Sequence, residues 1–205
     1  MSVRLPNLLI AGVTKAGTTS LFSYLAQHPD VCGSSLKETE YFSPLLYPDG
    51  HLPPPSEYAR YFRHCTGERY ALEATPNYWY GGTRLLDATE SMLDAPHYIV
   101  SLRDPVDRFW SEFTYMHSKA LLPADMSAGA YLDRCVAVRR AGTDFTRDHR
   151  EFRTLSTGFY VEYLQPWLER LDGRLRIVFF EDLGTDAAAV VGALFEWLQL
   201  DAVPL

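Results

Sequence analysis

The first residues able to do chemistry lie in the run Gly12-Val13-Thr14-Lys15-Ala16-Gly17-Thr18-Thr19. The apolar segment Asn7 to Gly12 precedes it, and Thr18 to Ala26 follow with apolar residues at helical spacing, which predicts a strand, a glycine-rich turn and a helix. Such a turn offers backbone N–H groups and the positive end of a helix dipole to an anion. The ATP-binding form of the pattern is G-x-x-x-x-G-K-[ST]. Gly12, Gly17 and Thr19 keep that spacing, but Thr18 stands in the lysine position and Lys15 sits inside the loop. The loop alone also leaves open an ordinary strand-to-helix turn beside a solvated lysine.

Further groups suited to a phosphate-handling site follow. In Leu102-Arg103-Asp104-Pro105-x-x-Arg108-x-x-Ser111, Arg103 presents a planar fork to phosphate oxygens, and Ser111 adds a hydroxyl from within the next helix. The same residues also read as a plain helix start, with Asp104 pairing to Arg108 at i+4 and Arg103 a surface strand end. Lys37-Glu38-Thr39-Glu40-Tyr41-Phe42 supplies carboxylates, and a partly desolvated one suits general-base work. Lys37 would oppose that role by pairing with Glu38, so its side chain is expected to point elsewhere. Glu73 ends a predicted strand just before Thr75-Pro76, as a second carboxylate or as an anchor for the turn.

These groups need elements to position them. Strands are predicted at 70–73, 97–102 and 175–180 besides the one at 7–12, and helices at about 82–94, 106–119, 127–141, 157–171 and 185–199. Residues 34–56 read as a long, proline-rich surface loop, of the kind that often carries function. Alternating strands and helices predict one α/β domain over residues 1–205, with an open parallel sheet covered on both faces.

Composition narrows the function. The 205 residues are 47% hydrophobic, enough for a real core, and 19 basic against 26 acidic residues give −7. That balance disfavours a protein that grips nucleic acid by general attraction, so any anion site must be local. No run approaches the roughly 20 apolar residues of a membrane span, and no signal peptide is recognisable. Cys32, Cys65 and Cys135 are odd in number, far apart and without CxxC spacing, which predicts neither a disulfide framework nor a zinc site and fits a reducing cytoplasm. His28, His64, His97, His117 and His149 form no metal-ligand spacing. Arginines 139, 140, 147, 150 and 153, interleaved with acids, read as a self-paired solvated surface or as an acceptor-side lid.

The loop, Lys37-Glu38-x-x-Tyr41-Phe42, Glu73-Ala74-Thr75-Pro76-Asn77-Tyr78 and the Arg103–Ser111 segment, in this order, resemble the sulfotransferases that use 3′-phosphoadenosine 5′-phosphosulfate (PAPS). The likeness is greatest to the bacterial members and to the sulfotransferase domains of heparan sulfate modifying enzymes. It implies a P-loop-like three-layer sandwich with a central parallel sheet and helices on both faces. It also implies PAPS as co-substrate, the bisphosphate PAP (3′-phosphoadenosine 5′-phosphate) as product, no metal, and a small-molecule, glycan or lipid acceptor. By the resemblance, Lys15 contacts the transferring group and leaving phosphate, Ala16, Gly17, Thr18, Thr19 and Ser20 surround the 5′-phosphate, Arg103 and Ser111 hold the 3′-phosphate, and Glu38 takes the acceptor proton, with Glu40 its near competitor. Phe159 or Tyr160 would lie near the adenosine, although aromatic residues at helical spacing more often belong to a core.

The chain departs from the family in two ways. Ala74 stands where some heparan-modifying relatives carry a lysine, and the sequence stops at Leu205, before the family's basic, glycine-containing loop over the 3′-phosphate. Two other readings stay open: a non-catalytic nucleotide-binding or assembly protein derived from the family, and a small-molecule kinase with a degenerate phosphate loop.

Overall fold

The computed structural model describes residues 4–204, so residues 1–3 and 205 of the expected domain lie outside the description. Its sheet has five strands, all parallel, in the order β2-β3-β1-β4-β5. They are β1 (Leu8–Gly12), β2 (Val31–Gly33), β3 (Tyr70–Ala74), β4 (His97–Leu102) and β5 (Leu175–Phe179). Side chains alternate across a strand, and β1 is apolar at every position because both its faces are covered. Leu9 and Ala11 point into a core shared with Trp79, Trp167 and Tyr98, and Leu8 and Ile10 into one shared with Val191, Leu194 and Phe195. Helices α3 (Gly82–Met92) and α6 (Val161–Arg170) cover the first face, and α1 (Thr18–Leu25) and α8 (Ala187–Trp197) the second. This is the expected three-layer arrangement.

Between β4 and β5 run α4 (Pro105–Ser118) and α5 (Ala128–Arg140), joined by an apolar cluster that includes Phe113, Tyr131 and Cys135. The helix expected from 157 begins only at Val161, because Ser156–Gly158 form a separate 3-10 turn. The short helices α2 (Pro55–Ala59) and α7 (Phe180–Thr185), and the short strand β2, have too few residues to show a period in the sequence. Among the described residues, no helix is long and apolar enough to cross a membrane.

Two expectations are corrected. The segment 34–56 is not simply a surface loop: Tyr41 and Phe42 are buried, and the Tyr41 ring stacks on Tyr58 at 4.3 Å between centroids. The polar, proline-rich average of the segment conceals that aromatic anchor. The cysteine reading also fails, since Cys32 and Cys65 form a disulfide and Cys135 is the free, buried one among the described residues. The bond joins residues 33 apart that the chain brings together only in the fold, which no short spacing motif reveals. The ground for inferring a reducing compartment goes with it. His64 lies beside both sulfurs, yet sulfurs bonded to each other are not thiolate ligands.

The disulfide encloses the whole segment that bears Glu38 and Glu40. Loop-closure entropy for that span amounts to about 3–4 kcal/mol. Urea denaturation of the Cys32→Ser/Cys65→Ser variant is expected to show a loss of about 3 kcal/mol; an unchanged midpoint would contradict the pairing.

Candidate anion and acceptor site

Most of the sequence-predicted polar groups lie at or just beyond the carboxyl ends of the strands, and Ser111 lies about two turns into α4. The phosphate-type loop follows β1, Glu38 and Glu40 follow β2, Glu73 closes β3, and Arg103 follows β4. In open parallel sheets this end gathers ligands, and β1, flanked by β3 and β4, lies where the connections switch direction.

The loop turns through Lys15 (φ 62°) and Gly17 (φ 76°) before α1 starts at Thr18. Gly17 is required there twice over: its φ is left-handed, and a Cβ would lie 2.8 Å from the Phe180 ring. No side chain caps α1, so the N–H groups of its first turn lack intrahelical partners. The loop carbonyls are engaged from β4 instead. Ser101 Oγ donates to the Ala16 carbonyl at 2.6 Å, and Arg103 Nη1 donates to the Lys15 carbonyl at 3.2 Å. The N–H groups that open α1 are thus available to an anion.

The Lys15 ammonium lies 4.1 Å from the Tyr115 ring centroid, a cation–π contact, and makes no ion pair among the described residues. Arg103 packs its guanidinium on Phe180 at 4.5 Å, and its Nε is buried without a partner. Lys15, Gly17, Thr18, Thr19, Arg103 and Ser111 line one cleft of about 430 Å³. Ala16 is buried beneath the loop, and Ser20 is exposed on α1 without lining that cleft.

Asp104 does start α4, but as its cap, accepting from Val106 N at 2.9 Å and Asp107 N at 3.0 Å. The expected Asp104–Arg108 pair does not form. Arg108 is fully buried and donates to the Thr154 carbonyl at 2.5 Å, Thr157 Oγ1 at 3.1 Å and Thr14 Oγ1 at 3.4 Å. It ties the phosphate-type loop and the turn at 154–157 to α4.

The carboxylates divide by environment. Glu38 (φ 63°) is exposed, donates its N–H to the Ala74 carbonyl at 3.0 Å, and is ion-paired with Lys37. The expectation that Lys37 points elsewhere is therefore corrected: the adjacent exposed carboxylate is the nearest counter-charge for its largely covered ammonium. Glu40 (φ 55°) is exposed, with its N–H on Thr75 Oγ1 at 3.3 Å. Glu73 is fully buried, and desolvation pushes its pKa up to about 7 against the hydrogen bonds donated by Thr75 and Thr39. Through Thr39 and Thr75 it is tied to the loop that carries Glu38 and Glu40.

Sequence reasoning missed Glu112. It is only 8% exposed, lies one position after Ser111 and one helical turn from Arg108, and its Oε2 has no partner. Burial raises its pKa, opposed by the charges of Arg108, Lys15 and Arg153 and by the Thr14 hydroxyl. Its position at i+4 from an arginine was the available signal. Glu112 borders both the Lys15 cleft and a smaller one of about 190 Å³ that Glu38, Glu40 and Arg153 also line.

Phe159 and Tyr160 do not line the Lys15 cleft. Phe159 is 43% exposed under the Arg139 guanidinium, and the Tyr160 hydroxyl donates to the Arg103 carbonyl at 2.9 Å. Of the arginines at 139–153, Arg139 pairs with Glu162 at 2.5 Å and Arg147 with Asp49 at 3.7 Å, both partners lying outside the segment.

The chain matches the model of the sulfotransferase domain over residues 5–203. It is 26% identical over 206 residues to the bifunctional heparan sulfate N-deacetylase/N-sulfotransferase 1 of Caenorhabditis briggsae, covering 98% of this chain and 23% of that protein. It is 28% identical over 204 residues to the heparan sulfate glucosamine 3-O-sulfotransferase 3B1 of Mus musculus, covering 98% and 48%. The chain thus spans less than half the length of these relatives. Among solved structures, a sulfotransferase from Alicyclobacillus acidocaldarius superposes with a TM-score of 0.78 at 25% identity, covering 99% of this chain and 84% of that one. With the displaced loop lysine and the strand-end arginine in one cleft, the match over nearly the whole length places this chain in the sulfotransferase domain family.

Proposed function

We propose that the chain transfers a sulfuryl group from PAPS to a hydroxyl or amine of an acceptor. One observation carries the reading: the Lys15 loop, the uncapped start of α1, Arg103 and Ser111 meet in a single cleft. This donor set fits a nucleotide with phosphates at both the 5′ and 3′ positions. The N–H groups of Gly17, Thr18 and Thr19 would hold the 5′-phosphate, and Arg103 and Ser111 the 3′-phosphate. PAPS, when bound, supplies the sulfuryl group, whose bond to the phosphate oxygen breaks in the transfer. Charge grows on that oxygen, and an ammonium held by the loop stabilises the transition state more than the ground state.

Glu38 borders both the Lys15 cleft and the smaller one, where a base for the acceptor proton is needed. The relatives named for heparan sulfate favour a glycan acceptor over a lipid or a phenol. Transfer of labelled sulfate from PAPS to glycans, lipids and phenols tests the proposal. Glu38→Gln should lower kcat by roughly 10²–10⁴-fold, the usual contribution of a general base; full activity would move the base to Glu40 or Glu112. The ion pair of Glu38 with Lys37 favours a second reading, nucleotide binding without turnover. That reading requires PAP binding with no transfer to any acceptor.

A further inference from the structure

Glu38 and Glu40 both hold left-handed backbone, φ 63° and 55°, which residues other than glycine adopt only where their surroundings impose it. Here the end of β3 imposes it. The Glu38 N–H donates to the Ala74 carbonyl at 3.0 Å, and the Glu40 N–H to Thr75 Oγ1 at 3.3 Å. Thr39, between the two, donates its hydroxyl to Glu73 Oε1 at 3.2 Å and accepts from the Tyr41 N–H at 3.5 Å. Thr75 donates to that same Oε1 at 2.5 Å.

A threonine hydroxyl has one proton and two lone pairs. With both protons committed to Oε1, the lone pairs of Thr39 and Thr75 are left to the N–H groups of Tyr41 and Glu40. One buried oxygen thus directs two hydroxyls, and through them two N–H groups of the loop. No cation pairs with Glu73 among the described residues. The titratable groups that face it are Tyr58 from α2, whose hydroxyl lies 3.5 Å from Oε2, Tyr78 in the turn after β3, and the Glu40 carboxylate. The loop therefore draws on an acceptor at Oε1 rather than on a charge. The pKa of about 7 that burial gives Glu73 agrees, since a proton on Oε2 leaves Oε1 free to accept.

Resting on the sulfotransferase reading with Glu38 as base, we propose that Glu73 is a positioning residue: through Thr39 and Thr75 it fixes the backbone of 38–41 and so sets where Glu38 meets the acceptor. Glu73 itself is fully buried and lines neither the Lys15 cleft nor the smaller one.

Variants at both ends of the network separate an acceptor from a charge and from mere bulk. Glu73→Gln keeps an oxygen for Thr39 and Thr75, and kcat should stay within about three-fold of wild type. Glu73→Met fills similar space without an acceptor, and should lower kcat about 10- to 100-fold, the cost of a misplaced reacting group. The KM for PAPS should change by less than about two-fold, because the loop of Lys15 lies outside this network. Thr75→Val should repeat the loss and Thr75→Ser should restore the activity. In Glu73→Met/Thr75→Val the loss should not exceed that of the worse single variant, as expected of partners in one network.

Transfer of labelled sulfate from PAPS is measured on heparan sulfate and on the lipids and phenols of the same panel, per chain that binds PAP by thermal shift. Amide exchange reads the loop directly, and residues 39–42 should exchange about ten-fold faster in Glu73→Met but not in Glu73→Gln. Equal losses of transfer in Glu73→Gln and Glu73→Met would make the charge essential and overturn the proposal. Unchanged exchange or undiminished kcat in Glu73→Met, or losses that multiply in the double variant, would overturn it as well. A wild-type chain that binds no PAP overturns the sulfotransferase reading instead, and exchange at 39–42 still decides whether Glu73 holds the loop.

Discussion

Lys15→Ala is expected to lower sulfuryl transfer by roughly 10²–10³-fold, the effect of removing one donor from a developing oxyanion. The effect should fall on kcat, because the ammonium meets charge that exists fully only in the transition state. Nucleotide affinity should largely survive, since the loop N–H groups, Arg103 and Ser111 remain. The left-handed backbone at Lys15 and the Tyr115 ring beneath its ammonium hold the charge beside the first turn of α1. Lys15→Arg should rescue little, because a planar fork does not replace a compact point charge in so tight a turn. Steady-state kinetics with PAPS varied check this; unchanged kcat would remove Lys15 from the chemistry.

Arg108→Ala should cost about 3–5 kcal/mol of stability, the range for removing one member of a buried charged network. Three hydrogen bonds disappear, among them the short one to the Thr154 carbonyl, which keeps only the bond that Thr157 Oγ1 donates. The buried Glu112 also loses the largest of the charges that favour its ionised form. For a chain of this size the loss corresponds to a drop in Tm of roughly 6–20 °C. Because Arg108 bonds Thr14, the phosphate-type loop should loosen as well, and the variant should bind PAP more weakly even where it is folded. A Tm within about 2 °C of wild type would show that the network carries no such weight.

How much of this was legible depended on whether a feature is local. The Lys15 loop, Arg103 at a strand end and the order of strands and helices are written in short stretches, where period and turn chemistry decide the outcome. The burial of Tyr41 and Phe42, the Cys32–Cys65 bond and the bonds from Arg108 to 154–157 join segments that meet only in the folded sheet. Glu112 was hidden for a different reason. An acid on a helix normally faces water, and only burial against Thr14 and Arg153 turns it into a site residue. Lys37 and Glu38 show the converse, a local pair that was expected to be broken by function and is formed.

The central claim is that the cleft around Lys15, Arg103 and Ser111 is built for a nucleotide with a 3′-phosphate. Thermal unfolding with PAP, compared with ATP plus magnesium, tests it most directly. At 100 times its dissociation constant PAP should stabilise the fold by about 2.7 kcal/mol, and the shift should shrink strongly in Arg103→Ala. Stabilisation by ATP plus magnesium with none by PAP would contradict the account.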